Sequence, residues 1–123
     1  MTRPVALDHA QVLAPPGALD EARRFYGDLV GLEEIERPAT MGNEGVWFRV
    51  GPQELHVSAE AEFVAAQRAH PALRLSDGAA LDALAARLEA GGIDVNWDDR
   101  LPGARRFYAF DPWGNRVEFL ARE

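Results

Sequence analysis

Three histidines and one glutamate carry the chemistry that this sequence can offer most readily. His9 and His56 lie 47 positions apart, and His70 and Glu118 lie 48 apart. Imidazole nitrogens and carboxylate oxygens are the donors that a divalent transition metal takes. All three histidines of the chain fall inside this doubled spacing. If the chain is two copies of one unit, His70 is the counterpart of His9 and Glu118 that of His56. A fold that superposes the two halves would then bring all four side chains to one point. With no cysteine present, disulfides, thiolate nucleophiles and cysteine metal sites are excluded.

The elements that would position these residues also repeat. Ala22, Phe25, Tyr26 and Leu29 follow the i, i+3, i+4, i+7 stripe of an amphipathic helix. Leu81, Leu84, Ala85 and Leu88 reproduce it 59 positions later. Pro15-Pro16-Gly17 breaks the chain before the first helix, and Ser76 and Asp77 are N-cap candidates for the second. Gly31 and Gly91-Gly92 supply the C-terminal glycines. Strand-like stretches precede the helices at 5–13 and 70–75. Three more follow each helix, at 33–36, 46–50 and 54–58, then at 93–97, 106–110 and 116–120. Both halves therefore read strand, helix, strand, strand, strand. The alanine-rich residues 60–69 read as a helical linker between a module at 1–59 and a module at 70–123.

Alternation along the strands predicts which side chains share a face. Leu55 and Val57 flank His56, and Val117 and Phe119 flank Glu118, so the apolar neighbours can pack under a helix while the polar residues face the other way. In 70–75, Pro71, Leu73 and Leu75 would be buried, leaving His70, Ala72 and Arg74 opposite.

Composition narrows the function classes. With 47% hydrophobic residues in 123, the chain can bury a core as one compact domain. No run approaches the roughly 20 apolar residues of a membrane span, and the N-terminus lacks a signal-like apolar stretch, so no membrane role and a cytoplasmic location are expected. The net charge of −7 argues against nucleic acid, which needs a basic surface.

Several stretches resemble the vicinal-oxygen-chelate superfamily, which includes glyoxalase I, fosfomycin-resistance thiol transferases, extradiol dioxygenases and bleomycin-binding proteins. They are Leu7-Asp8-His9, Phe25-Tyr26-Gly27-Asp28-Leu29-Val30-Gly31-Leu32, Glu54-Leu55-His56-Val57, and Phe107-Tyr108 leading to Asp111-Pro112-Trp113-Gly114-Asn115-Arg116-Val117-Glu118-Phe119. The resemblance spans nearly the whole chain. It implies an α+β fold of two βαβββ modules forming an open eight-stranded cupped barrel with helices outside. It also implies a divalent metal (zinc, nickel, iron, cobalt or manganese) held on the concave face by His9, His56, His70 and Glu118. His56 stands where glyoxalase I proteins have a carboxylate, which sets glyoxalase I activity itself in question.

The reading that follows is a metal-dependent enzyme that chelates a small oxygenated substrate, with lyase, isomerase or dioxygenase chemistry. Glu118 or His56 would exchange a proton. Gln11, Arg49, Arg74 and Asn115 are candidate contacts for the substrate's polar groups; Trp47, Trp97, Trp113 and Tyr108 could form its apolar walls. The adjacent Arg105 and Arg106 read as a solvated basic pair. The alternative is a metal-free module of the bleomycin-resistance type that sequesters a drug or metabolite. A homodimer is expected in either case.

Overall fold

A computed structural model describes residues 2–123. Strand β1 (His9–Ala14) leads into helix α1 (Leu19–Ala22), which continues as a π-helical turn over Arg23–Leu29. Strands β2 (Glu33–Ile35), β3 (Gly45–Val50) and β4 (Gln53–Ala59) complete the first half, with a 3₁₀ turn at Ala39–Met41. The second half repeats the order with β5 (Ala72–Arg74), α2 (Gly78–Ala90), β6 (Asn96–Asp98), β7 (Ala104–Phe110) and β8 (Arg116–Arg122). Two four-stranded sheets result, ordered β1-β4-β3-β2 and β5-β8-β7-β6. In each, the first strand pairs in parallel with the last and the remaining pairs are antiparallel. A parallel pair needs a long crossover, and the helix and the two strands after it supply one in each half. The expected α+β class with two like modules is what the structure shows, and the sheets do not close on each other.

Register decides which side chains meet. Trp47 lies opposite His56 across β3 and β4, and Gln11 lies opposite His56 across β1 and β4. In the second sheet, Tyr108 and Ala72 both lie opposite Glu118. The alternate residues of the same strands face the helices. Leu55, Val57, Val117 and Phe119 are fully buried, and with Phe25, Tyr26, Leu81, Leu84 and Leu88 they form one continuous core drawn from both halves. Asp77 caps α2, its carboxylate accepting from the Ala80 amide at 2.8 Å, and Gly92, at φ +84°, provides the left-handed residue just beyond the helix.

Three local expectations change. Residues 60–69 form a turn, a bend and irregular chain rather than a helix; ten residues fall short of the roughly 12–15 that a helix needs to hold alone. The first helix is mostly π-helical, closing with bonds such as Val30 N–H to Phe25 C=O at 2.9 Å. Its wider turn leaves the adjacent Phe25 and Tyr26 both fully buried. The strand expected at 5–13 begins only at His9, because 5–8 have no pairing partners over most of their length and Val5 and Leu7 stay exposed.

A buried polar knot joins the halves. Tyr26 donates its hydroxyl to Asp111 at 2.7 Å, and Asn115 donates to Asp111 at 2.8 Å and to the Leu13 carbonyl at 2.7 Å. The backbone amides of Trp113 and Asn115 also point at Asp111. Arg87 of α2 adds a clasp to the Leu29 and Val30 carbonyls. Burial holds the Asp111 carboxyl above its ordinary value, while the bonds from Asn115 and Tyr26 oppose that shift. A raised acid is favoured protonated in the folded state, so its contribution to stability declines as pH rises from about 4 through the raised value. Urea unfolding should therefore show Tyr26→Phe destabilised by about 1–3 kcal/mol. The stability difference between wild type and Asp111→Asn should move against the wild type as pH rises through that window. An unchanged difference would contradict the assignment.

Candidate metal site

One face of the first sheet carries His9 at the start of β1 and His56 in the middle of β4. Register sets His56 beside Trp47, and the two rings stack at 3.9 Å with 1° between their planes. His9 stacks on the opposite side of His56 at 4.2 Å and 17°. His56 is thus sandwiched and buried, and its Nε2 lies 2.9 Å from Glu54 Oε1. His9 is more open, with Nδ1 2.8 Å from Asp8 Oδ2. A carboxylate accepts, so Nδ1–H of His9 and Nε2–H of His56 are the donors. The in-plane lone pairs of the two rings are then His9 Nε2 and His56 Nδ1.

In the second sheet, His70 precedes β5 and faces Glu118 of β8, with Nε2 3.0 Å from Oε1. The other nitrogen of His70 is 2.7 Å from the Arg68 carbonyl. A carbonyl can only accept, so Nδ1 bears the proton, and in the neutral ring Nε2 is a lone pair aimed at a carboxylate. Two acceptors held 3.0 Å apart need a cation or a further proton between them. Ligand bonds of about 2.1 Å to one ion at right angles would place such donors about 3 Å apart. A backbone acceptor behind a metal-binding imidazole is also the usual arrangement. His70 and Glu118 fit a divalent metal on both counts.

Glu118 is 5% exposed and its second oxygen accepts from Arg106 Nη1 at 3.3 Å. Arg106 in turn donates to Asp98, which also accepts from Arg100. The Asp98 carboxyl is held well below the usual carboxylate range, chiefly by Arg100 and then by Arg106. A relay of alternating charge thus runs Glu118, Arg106, Asp98, Arg100 along the sheet.

Within one chain the four candidate ligands come together as two pairs, His9 with His56 and His70 with Glu118. No group of three or more His, Asp or Glu side chains is arranged to hold a metal among the described residues. A cleft of about 840 Å³ has both His9 and His70 in its lining, with Glu54, Leu55, Leu73 and Arg74. A smaller one of about 370 Å³ joins Gln11, His70 and Arg116.

The candidate substrate contacts divide. Gln11, Arg74, Trp47 and Tyr108 lie at these clefts or against the histidines; Tyr108 meets the His70 ring edge-on at 5.5 Å. Arg49 is exposed and stands 4.0 Å from Glu33. Trp97 is 48% exposed, covered by Arg105 at 5.0 Å and set edge-on to Phe107. Asn115 also lines the smaller cleft, while its side-chain amide donates to Asp111 and to the Leu13 carbonyl in the buried knot. Sequence reasoning passed over Glu54 and Arg106. Strand alternation contained both: Glu54 is two residues from His56, and Arg106 is two residues from Tyr108, the cross-strand neighbour of Glu118. Arg105 and Arg106 are not a solvated pair. Arg105 turns outward to Asp82 on α2, while the side chain of Arg106 is 15% exposed and turns inward.

The chain belongs to the Glyoxalase/Bleomycin resistance protein/Dioxygenase superfamily, whose family model matches residues 6–119. A glyoxalase family protein from Bacillus anthracis is 40% identical with a TM-score of 0.93, covering 100% of this chain and 99% of that one. Lactoylglutathione lyase from Agrobacterium tumefaciens is 28% identical with a TM-score of 0.75, over 98% and 96% of the two chains. The fold is shared with the fosfomycin resistance protein FosX from Listeria monocytogenes, 17% identical with a TM-score of 0.81 over 98% and 95%, which was crystallised with Mn(II) and 1S,2S-dihydroxypropylphosphonic acid. No curated protein shows significant similarity to the chain.

The proton placements can be checked directly. Long-range ¹H–¹⁵N NMR of the metal-free protein should show neutral His70 and His9 as Nδ1–H tautomers and neutral His56 as Nε2–H. An Nε2–H tautomer at His70 would remove the lone pair facing Glu118 and with it the fit to a metal.

Proposed function

We propose that this protein is a metal-dependent enzyme acting on a small oxygenated substrate, with lyase, isomerase or dioxygenase chemistry. The observation that carries the reading is the pair of facing acceptors, His70 Nε2 and Glu118 Oε1. His9, with a free Nε2 backed by Asp8, supplies the third ligand in this proposal. That set of two histidines and one carboxylate leaves coordination positions open for substrate. His56 flanks it: rings stacked 17° from parallel at 4.2 Å cannot both aim in-plane lone pairs at one ion. A bound divalent ion would act as a Lewis acid toward two neighbouring substrate oxygens.

The chain's own groups divide the remaining work. Arg106 grips the far oxygen of Glu118 and orients the carboxylate. Glu54 holds the buried His56 through Nε2, leaving Nδ1 to accept a proton beside the site. Trp47 covers the far side of that ring, and Tyr108 forms a wall beside His70. The relatives support the class of reaction: the 28%-identical neighbour is a lactoylglutathione lyase. A divalent ion between these two facing groups would give the arrangement a use that sequestration does not call for, which ranks catalysis above sequestration.

Because one chain offers its donors as two separated pairs, the proposed site is completed across a homodimer. The His9 half of one protomer meets the His70 and Glu118 half of its partner. A mixing experiment tests this. Chains carrying His9→Ala with His56→Ala, and chains carrying His70→Ala with Glu118→Ala, should each bind no Mn(II) alone. Refolded together in equal amounts, they should regain about one ion per four chains, the share expected when random pairing leaves half the dimers with one intact site. Metal uptake by wild type but none by the mixture would place all ligands within one chain. No uptake by the wild type would end the metal reading.

A further inference from the structure

The second sheet carries a cation that the metal-site reading does not use. Arg116 opens β8 two residues before Glu118 and therefore shares its face. Its guanidinium lies over the Tyr108 ring at 5.2 Å and near the Phe110 ring at 5.9 Å. Its Nε is buried without a hydrogen-bond partner. The two arginines nearest Glu118 and Asp98 are engaged: Arg106 bonds Asp98 and Glu118, and Arg100 bonds Asp98. Arg74 on β5 shares the face but lines the larger cleft rather than the Tyr108 side. Among the described residues no carboxylate stands within ion-pair distance of Arg116, although acidic residues outnumber basic ones 20 to 13.

Arg116 also stands where a ligand could reach it. It lines the cleft of about 370 Å³ that holds His70 and Gln11. It lines a second one of about 260 Å³ with Tyr108, Asn96 and Arg100. Tyr108 connects the two features, touching His70 with its ring and supporting Arg116 on its face. A guanidinium stacked on aromatic rings has little rotamer freedom left to lose, and its planar fork matches an oxyanion through two parallel bonds. The sequence contains no lysine, so arginines are the only permanently charged side chains available to an anion here.

We infer that Arg116 is an oxyanion-binding residue, and that the substrate carries a carboxylate, phosphate or phosphonate group beside the oxygens presented to His70 and Glu118. The substrate assignment rests on the metal-site reading; the anion subsite does not. Tyr108 acts as its positioning residue by fixing the guanidinium plane.

The test titrates the full-length protein with methylphosphonate and, in a separate arm, acetate, with and without Mn(II), by calorimetry and by ¹H–¹⁵N NMR of the arginine Nε–H groups. At least one anion should bind saturably, shift the Arg116 Nε–H resonance, and bind about tenfold or more weakly to Arg116→Gln, as expected for loss of a charge-assisted pair. Which arm binds assigns a phosphonate or a carboxylate group. Arg24→Gln, at an exposed position on the first helix, should bind as wild type does. Failure of both anions to bind, an unmoved Arg116 resonance, or unchanged affinity in Arg116→Gln would each overturn the subsite. The wild-type resonance decides the matter even if the variant does not fold. Anion binding without any Mn(II) uptake would leave the subsite standing and remove the metal reading alone.

Discussion

One hydrogen bond sets the chemistry of the candidate site: Nδ1 of His70 donates to the backbone carbonyl of Arg68. A carbonyl cannot return a proton, so the neutral ring has a single tautomer and its other nitrogen confronts Glu118 as a lone pair. Everything around the pair tightens that confrontation. Glu118 is 5% exposed and stands on a strand whose neighbouring residues, Val117 and Phe119, anchor its other face in the core. Arg106 occupies its second oxygen. The carboxylate is thereby oriented, with one oxygen on Arg106 and the other turned to the His70 lone pair, an arrangement that a divalent ion between them would complete.

The two modules share a topology but use their equivalent faces differently. In the first, the ligand positions carry two imidazoles, and aromatic stacking from Trp47 organises them into a column. In the second, an imidazole and a carboxylate are organised by charge through Arg106 and Asp98. The common core explains why each face keeps its shape. The helices of both halves pack into one cluster, and the Tyr26, Asp111 and Asn115 knot ties the final hairpin of the second module to the first. A buried carboxylate that accepts several bonds fixes geometry even where its net contribution to stability is small.

Much of this was legible in the residues. The repeated helix stripe, the glycine stops and the alternation around His56 and Glu118 describe elements whose physics is local, and the structure keeps them. What was not legible depends on packing. Residues 60–69 are alanine-rich but too short to hold a helix alone, so composition alone misdescribes them as helix. The π-helical turn answers to the core beneath Phe25 and Tyr26. Arg105 and Arg106 look alike in sequence, yet strand alternation sends one outward to Asp82 and the other inward to Glu118. The role of Asn115 in joining the modules is invisible in the sequence because it involves Leu13, a partner 102 positions away.

In the proposed site His70 and Glu118 are one half of the metal's ligand set, and His56 stands beside it rather than in it. X-ray absorption at the cobalt edge of Co(II)-loaded protein tests that most directly. The spectrum should show two imidazoles, one carboxylate and at least one exchangeable water around the ion, with the carboxylate lost in Glu118→Ala. A shell of three imidazoles with no exchangeable water, or one unaltered by removing Glu118, would contradict it.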